Sequence, residues 1–252
     1  MSWILLRGLA REARHWGDFA ARFALQCGDE EVIALDLPGN GAFYLQTSPA
    51  QVPEVVEFLR LQLRVKALRP PYNLLAMSLG GMVAADWAQR YPREVTRLVL
   101  INTSMRPFSG APQRLRPANW LQLALLAARW ADAGYAERVI HQLTCHEAAA
   151  RAGDLAAWLQ IRKSAPVSAG NAARQLLAAA RFSCATAAPA CHVLVLSSRA
   201  DQLVHPLCSA QLAAAWQAMH HQHAWAGHDL AHDDSDWVCR KVLDWLVEFP
   251  EA

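Results

Sequence analysis

Residues 72–85 read Tyr-Asn-Leu-Leu-Ala-Met-Ser-Leu-Gly-Gly-Met-Val-Ala-Ala, and the rest of the chain falls into place around them. An apolar run stops at Ser78, glycines follow at 80 and 81, and small residues continue towards Arg90. This pattern predicts a strand, a sharp turn and a helix, with the Ser78 hydroxyl at the apex. A serine in so strained a turn requires small residues two before and two after it, so that strand and helix can approach. Ala76 and Gly80 fill those places, Ala76 standing where glycine is more usual. Serine is also a favoured helix N-cap, so this stretch alone allows two readings of Ser78, nucleophile or cap.

Working outward, residues 3–6 read as a short strand entering Arg7-Gly8-Leu9, followed by a helix over 16–27. A strand over 31–35 ends in Asp36-Leu37-Pro38-Gly39-Asn40-Gly41, dense in turn residues. Residues 53–68 predict a helix whose apolar face is Val55, Val56, Leu59, Leu63 and Leu68. Beyond the central stretch, Tyr91-Pro92 ends the helix, and a strand over 97–101 closes on Asn102-Thr103-Ser104. Later strands are expected over 192–197 and 221–225, and helices over 206–219 and 235–248.

Strands alternating with helices over short connections predict an α/β fold with a mostly parallel sheet of about six strands. Residues 105–185 break the alternation. They are rich in alanine, leucine and tryptophan, with helical periods at 120–130, 135–143, 155–162 and 172–182 and no strand. The expected organisation is therefore a core of residues 1–104 and 186–252 carrying a helical cap, 105–185. In open parallel sheets ligands sit beyond the carboxyl ends of the strands. Gly8-Leu9, residues 36–41, Ser78 and Asn102 to Ser104 should cluster there.

Asp201 and His228 also follow strands, 27 positions apart, enough for one helix and one strand. A serine, a histidine and an acid on neighbouring loops of one sheet edge can form a nucleophile, a base and its orienter. The imidazole is needed because a serine hydroxyl is a poor nucleophile near neutral pH. The carboxylate would hold the imidazole tautomer and stabilise the imidazolium. Two donors must also face the developing oxyanion, and the N–H of Leu79, next after the serine, is one.

The order serine, aspartate, histidine is that of the α/β-hydrolases, and the chain resembles that superfamily from end to end. Arg7-Gly8-Leu9 resembles its His-Gly-X loop, with Trp16 where a tryptophan often follows. Residues 36–41 resemble its D-L-P-G-x-G turn, Ala76 to Gly81 its nucleophile elbow, and Ala200-Asp201 and Gly227-His228 its acid and base loops. The resemblance implies an α/β-hydrolase fold, Ser78, Asp201 and His228 as catalytic residues, and Leu9 as the second oxyanion donor. Among its members the chain is most similar to small capped carboxylesterases. Arg7 departs from the family's histidine. It either braces the loop or reaches an anionic substrate group, and bracing is the reading adopted. Arg7, Gly8 and Trp120 are expected at the substrate pocket.

Composition excludes several classes. The chain is 54% apolar and 18% charged, with a net charge of +2, so nothing global points to nucleic acid. No apolar run reaches the roughly 20 residues of a membrane span, and six scattered cysteines without a C-x-x-C pair suit a reducing cytoplasm. The histidines at 220, 221, 223, 228 and 232 show no paired metal-ligand pattern and are expected to be exposed; no metal or organic cofactor is expected. Asp86, inside an apolar helix, should be paired with a neighbour. Residues 105–185 hold ten basic and four acidic residues, net +6 against −4 for the remainder. A basic cap would suit an acidic carrier protein, with Arg114, Arg116 and Arg162 as the residues to reverse. The function expected is a cytoplasmic serine hydrolase that cleaves small carboxylic esters through an acyl-enzyme. The alternatives are thioester, amide or C–C bond cleavage on the same fold, or a catalytically silent binding or scaffold protein.

Overall fold

The computed structural model describes residues 1–28, 30–146 and 151–249. Among them, strands β1 (Ser2–Leu6), β2 (Glu31–Leu35), β3 (Tyr72–Met77), β4 (Val95–Ile101), β5 (His192–Ser198) and β6 (Met219–His223) form one sheet. Its order is β2-β1-β3-β4-β5-β6 and every pairing is parallel. The helices up to β4 are α1 (Phe19–Gln26), α2 (Val52–Val65) and α3 (Leu79–Arg90). Between β4 and β5 lie α4 (Ala111–Arg114), α5 (Trp120–Ala128), α6 (Ala133–Thr144), α7 (Arg151–Ser164) and α8 (Ala169–Arg181). After β5 come α9 (Leu207–Trp216), α10 (Leu230–Asp233) and α11 (Ser235–Glu248).

Strands buried on both faces read as continuous apolar runs, and β3 is buried at all six positions. Side chains alternate across the pleat. Ile4, Leu6, Leu74, Ala76, Leu98 and Leu100 therefore meet the inner faces of α2, α3 and α9. Trp3, Leu5, Leu75, Met77, Val99 and Ile101 meet Phe19 and Phe23 of α1 and Val238, Val242 and Trp245 of α11. The predicted α/β architecture with a parallel six-stranded sheet is the one observed.

Several element boundaries differ from the sequence reading: β4 begins at Val95, α2 ends at Val65 and α9 at Trp216, and two further elements differ for visible reasons. The helix expected over 16–27 is split: a 3₁₀ turn, Ala13–Trp16, ends at Gly17 with φ 53°, and α1 begins at Phe19. The last strand lies two residues earlier than expected. His220 is polar yet belongs to β6, its Nε2 lying 2.8 Å from Ser197 Oγ on β5. Trp225, read as strand for its aromatic ring, lies in the turn that follows, where His223 Nδ1 accepts from the Ala226 N–H at 3.0 Å. The short α4 and α10 went unread because four residues carry too little periodicity to show.

The insertion starts and ends at one place. Arg106 and Ser183 form an isolated parallel bridge, and the Cys184 N–H donates to the Arg106 carbonyl at 2.9 Å. Helices α5 and α6 have a small apolar core of their own, Leu126, Ala136, Val139 and Leu143. Helix α8 docks on the carboxyl ends of β1 and β2. Gln175 accepts from the Ala10 N–H at 2.8 Å and donates to Asn40 Oδ1 at 2.8 Å, and Asn171 accepts from the Ser48 N–H at 2.9 Å. Below it, Asp36 organises the turn expected over 36–41, accepting from the N–H groups of Ala13 (2.7 Å) and Ala42 (2.8 Å). No described helix is long and apolar enough to cross a membrane.

Candidate active site

The turn between β3 and α3 places Ser78 at φ 54°, ψ −122°, a conformation costly for a residue with a side chain. Neighbouring strands hold it there. The Ser78 N–H donates to the Ile101 carbonyl at 3.0 Å, and its own carbonyl accepts from Thr103 Oγ1 at 2.8 Å. Gly80 is required by the close approach of α3 to β1: a Cβ there would lie 2.6 Å from the carbonyl oxygens of Leu6 and Arg7. The Ser78 side chain makes no capping hydrogen bond, so its hydroxyl is not spent on the helix end. It faces the β1 loop, where a Cβ added to Gly8 would come within 3.4 Å of Oγ.

His228 follows β6 and is buried. Its Nδ1–H donates to Asp201 Oδ2 at 2.7 Å. The other carboxylate oxygen of Asp201 accepts from the N–H groups of Leu203 (2.8 Å) and Val204 (2.9 Å), which fixes the acid's orientation. Burial pushes the imidazole towards its neutral form, but the charge and hydrogen bond of Asp201 and the charge of Asp229 outweigh it, and the His228 pKa is raised above 6.5. A positioning residue that sequence reasoning missed sits behind this loop. Asn102, at the end of β4, donates to the carbonyls of His228 (2.8 Å) and Gly227 (3.2 Å) and accepts from the Ser198 N–H (2.8 Å). The sequence marked Asn102 only as a residue at a strand's carboxyl end; its φ of 45°, in a region asparagine tolerates, is not visible in a sequence.

Ser78, His228, Leu9, Leu79, Arg7, Gly8 and Trp120 all line one cavity of about 540 Å³ between the sheet edge and the insertion. Leu79 is the first residue of α3, where backbone N–H groups have no intrahelical acceptor. The wall is largely aliphatic, with Leu123, Leu126, Ile140 and Leu176 among its residues. Asp201 stands behind His228 and not in the lining. Trp120 is half-exposed, its indole N–H donating to the Leu115 carbonyl at 3.1 Å. A strained serine and an imidazole tied to a carboxylate, beside a largely apolar pocket, can carry out nucleophilic acyl transfer.

Arg7 braces, as expected. Its guanidinium, buried at 3% exposure, makes a two-pronged ion pair with Asp229, Nη1 to Oδ1 at 2.9 Å and Nη2 to Oδ2 at 2.5 Å. It also lies 4.8 Å from the centre of the Trp16 ring. Burial raises the Asp229 carboxyl but Arg7 more than reverses this, leaving it at about 2. Asp86 is paired with Arg90 at 3.2 Å.

Two expectations need correction. The five histidines between 220 and 232 are not exposed: His223 and His228 are buried and the others half-buried. His223 and His232 lie beside Asp234 (3.1 Å) and Asp154 (3.0 Å). Asp154 also meets His141 at 3.0 Å. Among the described residues His141, Cys145 and His232 are the one group whose donor atoms lie close enough (within 4.8 Å) to share an ion, and none lines the cavity. The second concerns the basic cap: of the three arginines singled out, Arg162 is buried and Arg114 and Arg116 are half-buried and engaged within the fold. Arg114 lines the cavity, Arg116 donates to the Asp201 carbonyl at 2.8 Å, and Arg162 is buried against Glu137 at 3.1 Å. Glu137 in turn holds Arg11 at 2.7 Å, joining the insertion to the loop after β1.

The profile of Hydrolase_4, described as Serine aminopeptidase, S33, matches residues 3–234. The chain belongs to the Hydrolase_4 family. It has the α/β-hydrolase fold. The Hydrolase_4 chain is 38% identical over 93 residues to the pimeloyl-[acyl-carrier protein] methyl ester esterase of Chromobacterium violaceum, covering 36% of this chain and 34% of that protein. It is 30% identical over 102 residues to the biotin biosynthesis bifunctional protein BioHC of Teredinibacter turnerae, covering 40% of this chain and 17% of that one. The matches thus span 34% and 17% of the length of these curated relatives. A hydrolase from Pseudomonas aeruginosa PA01 shares the fold, with a TM-score of 0.79 at 18% identity over 97% of this chain and 89% of that one.

Proposed function

We propose that this Hydrolase_4 protein is a serine esterase that cleaves carboxylic esters through an acyl-enzyme. The observation that carries the reading is the 2.7 Å contact between His228 and Asp201 at the cavity that Ser78 opens onto. Ser78 attacks the ester carbonyl while His228 takes its proton. The N–H groups of Leu9 and Leu79 receive the oxyanion, and His228 returns the proton to the departing alcohol. Water, activated by the same imidazole, then releases the acid. Residues 105–185 act as a cap whose apolar helices shape the acyl pocket, with Trp120 at the rim.

The narrower reading, an ester borne on an acyl-carrier protein, takes its support from the name of the Chromobacterium violaceum relative. The basic side chains left exposed for such a partner include Arg138, Lys163, Arg174 and Arg181. The test is a panel of matched methyl esters, thioesters, amides and vinylogous diketones, assayed with wild type and Ser78→Ala. Ester turnover that exceeds the others and vanishes in Ser78→Ala is the expected result. Faster cleavage of another bond, or ester turnover that survives the substitution, would overturn the reading.

A further inference from the structure

Four cationic or ionisable nitrogen side chains line the cavity, and three have a carboxylate: Arg7 with Asp229, Arg11 with Glu137, and His228 with Asp201. The fourth, Arg114, has none among the described residues. Its Nη2 donates to the Ala179 carbonyl at 2.5 Å and lies 3.9 Å from Met82 Sδ. Its Nε is buried without any hydrogen-bond partner, and no described residue accepts from Nη1. The surrounding wall, Leu115, Met82, Leu176 and Ala179, is apolar. Burial disfavours the charged guanidinium and the neighbouring Arg106 charge adds to this, pushing its pKa down, with only the Cys208 and Cys184 thiols, and no carboxylate, acting against it. A half-buried cation without a counter-charge is partly desolvated and uncompensated. The missing charge is supplied most simply by what enters the cavity.

We propose that Arg114 is an anion subsite, which binds a carboxylate carried by an otherwise aliphatic substrate. Met82, whose sulfur lies 3.9 Å from the guanidinium, is the fourth residue of α3, about one turn (roughly 6 Å of rise) beyond Ser78 at the start of that helix. The carboxylate is therefore held a short aliphatic chain away from the reacting carbonyl. A guanidinium engages a carboxylate through two parallel N–H bonds; in Arg114, Nε and Nη1 have no acceptor among the described residues and Nη2 keeps a second hydrogen besides the one given to Ala179. The preferred substrates are then half-esters of dicarboxylic acids, in preference to simple fatty-acid esters of equal length.

This rests on the esterase reading only for its kinetic arm. In that arm, kcat/KM is measured for monomethyl adipate and monomethyl suberate against methyl hexanoate and methyl octanoate. The ratio of half-ester to neutral ester should fall about 10- to 100-fold in Arg114→Met, the range of a hydrogen bond to a charged group. Arg114→Lys, which keeps the charge but not the fork, should fall between wild type and Arg114→Met. The binding arm needs no turnover. Calorimetric affinity for monomethyl suberate is measured in Ser78→Ala and in Ser78→Ala/Arg114→Met, with circular dichroism and melting curves confirming that both are folded. The affinity should drop by a similar factor in the double variant. Unchanged affinity in that variant, or an unchanged kinetic ratio in both Arg114 variants, would overturn the subsite. If no ester is hydrolysed but the affinity still drops, the subsite stands and the esterase reading fails.

Discussion

Asp229→Ala removes one half of a buried ion pair and leaves the other half stranded. Arg7 would remain beneath the Trp16 ring and beside Met77, whose sulfur its Nη1 meets at 3.1 Å, with both Nη groups stripped of their carboxylate. Its Nε already has no partner, so the guanidinium would keep little compensation. Breaking such a pair from one side costs about 3–5 kcal/mol. At about 2–4 °C per kcal/mol for a chain of this size, Tm should drop by roughly 6–20 °C. Arg7→Met/Asp229→Leu, which removes both charges and keeps the volume apolar, should recover most of the loss. A second readout follows from the neighbouring histidine. The Asp229 charge helps to raise the His228 pKa, so the acidic limb of the rate profile should move to lower pH in Asp229→Ala. The wild-type pair also stabilises the fold above the ordinary carboxylate pKa of 3.8, and this contribution is lost as pH falls through about 2. Melting curves and pH–rate profiles of the three proteins provide the test. A single variant within about 1 kcal/mol of wild type, or a double variant as damaged as the single, would refute the bracing role.

Other expected outcomes are as direct. Gly80→Ala brings a Cβ to 2.6 Å from two backbone carbonyls, and overpacking of this kind should cost about 1–3 kcal/mol in denaturant melts and lower turnover. Asn102→Leu leaves the His228 and Gly227 carbonyls without their donor, so kcat should fall while KM changes little; an unchanged kcat would remove Asn102 from the positioning set. Because the His228 pKa is raised, activity should rise with pH along a limb centred above 6.5, where the imidazole becomes the free base. Asp201→Asn should shift that limb downward and cut kcat by about 10⁴-fold, as the imidazole loses its tautomer. A limb that stays in place would mean that Asp201 does not set the His228 charge.

The fold was legible because a parallel sheet writes itself into the chain as buried runs, and β3 is buried at every position. The candidate site was legible for a related reason: Ser78 and Asp201 each stand just past such a run, His228 follows the polar strand β6, and turn residues mark the strand ends. Interactions between distant positions were not. Arg7 and Asp229 are 222 positions apart, and a lone arginine in place of an expected histidine gives no hint of which acid it will meet. The charge total of residues 105–185 was misleading in the same way. It counts Arg162 and Arg116 as surface, whereas one is buried against Glu137 and the other holds the Asp201 loop. Counting charges says nothing about which way a helix turns. Histidines on β6 were read as solvated because imidazole is polar, yet Ser197 and Asp234 hold His220 and His223 at half-buried and buried places. Asn102 illustrates the remaining gap, since its role comes from a backbone angle and from three loops that meet only in the folded chain.

The central claim is that Ser78 is activated by His228. It is tested most directly by titration with a fluorophosphonate, followed by peptide mapping. One equivalent should attach to Ser78 in the wild type, none in Ser78→Ala, and attachment should slow by orders of magnitude in His228→Ala. Attachment at another residue, none at all, or an undiminished rate without the imidazole would contradict the account.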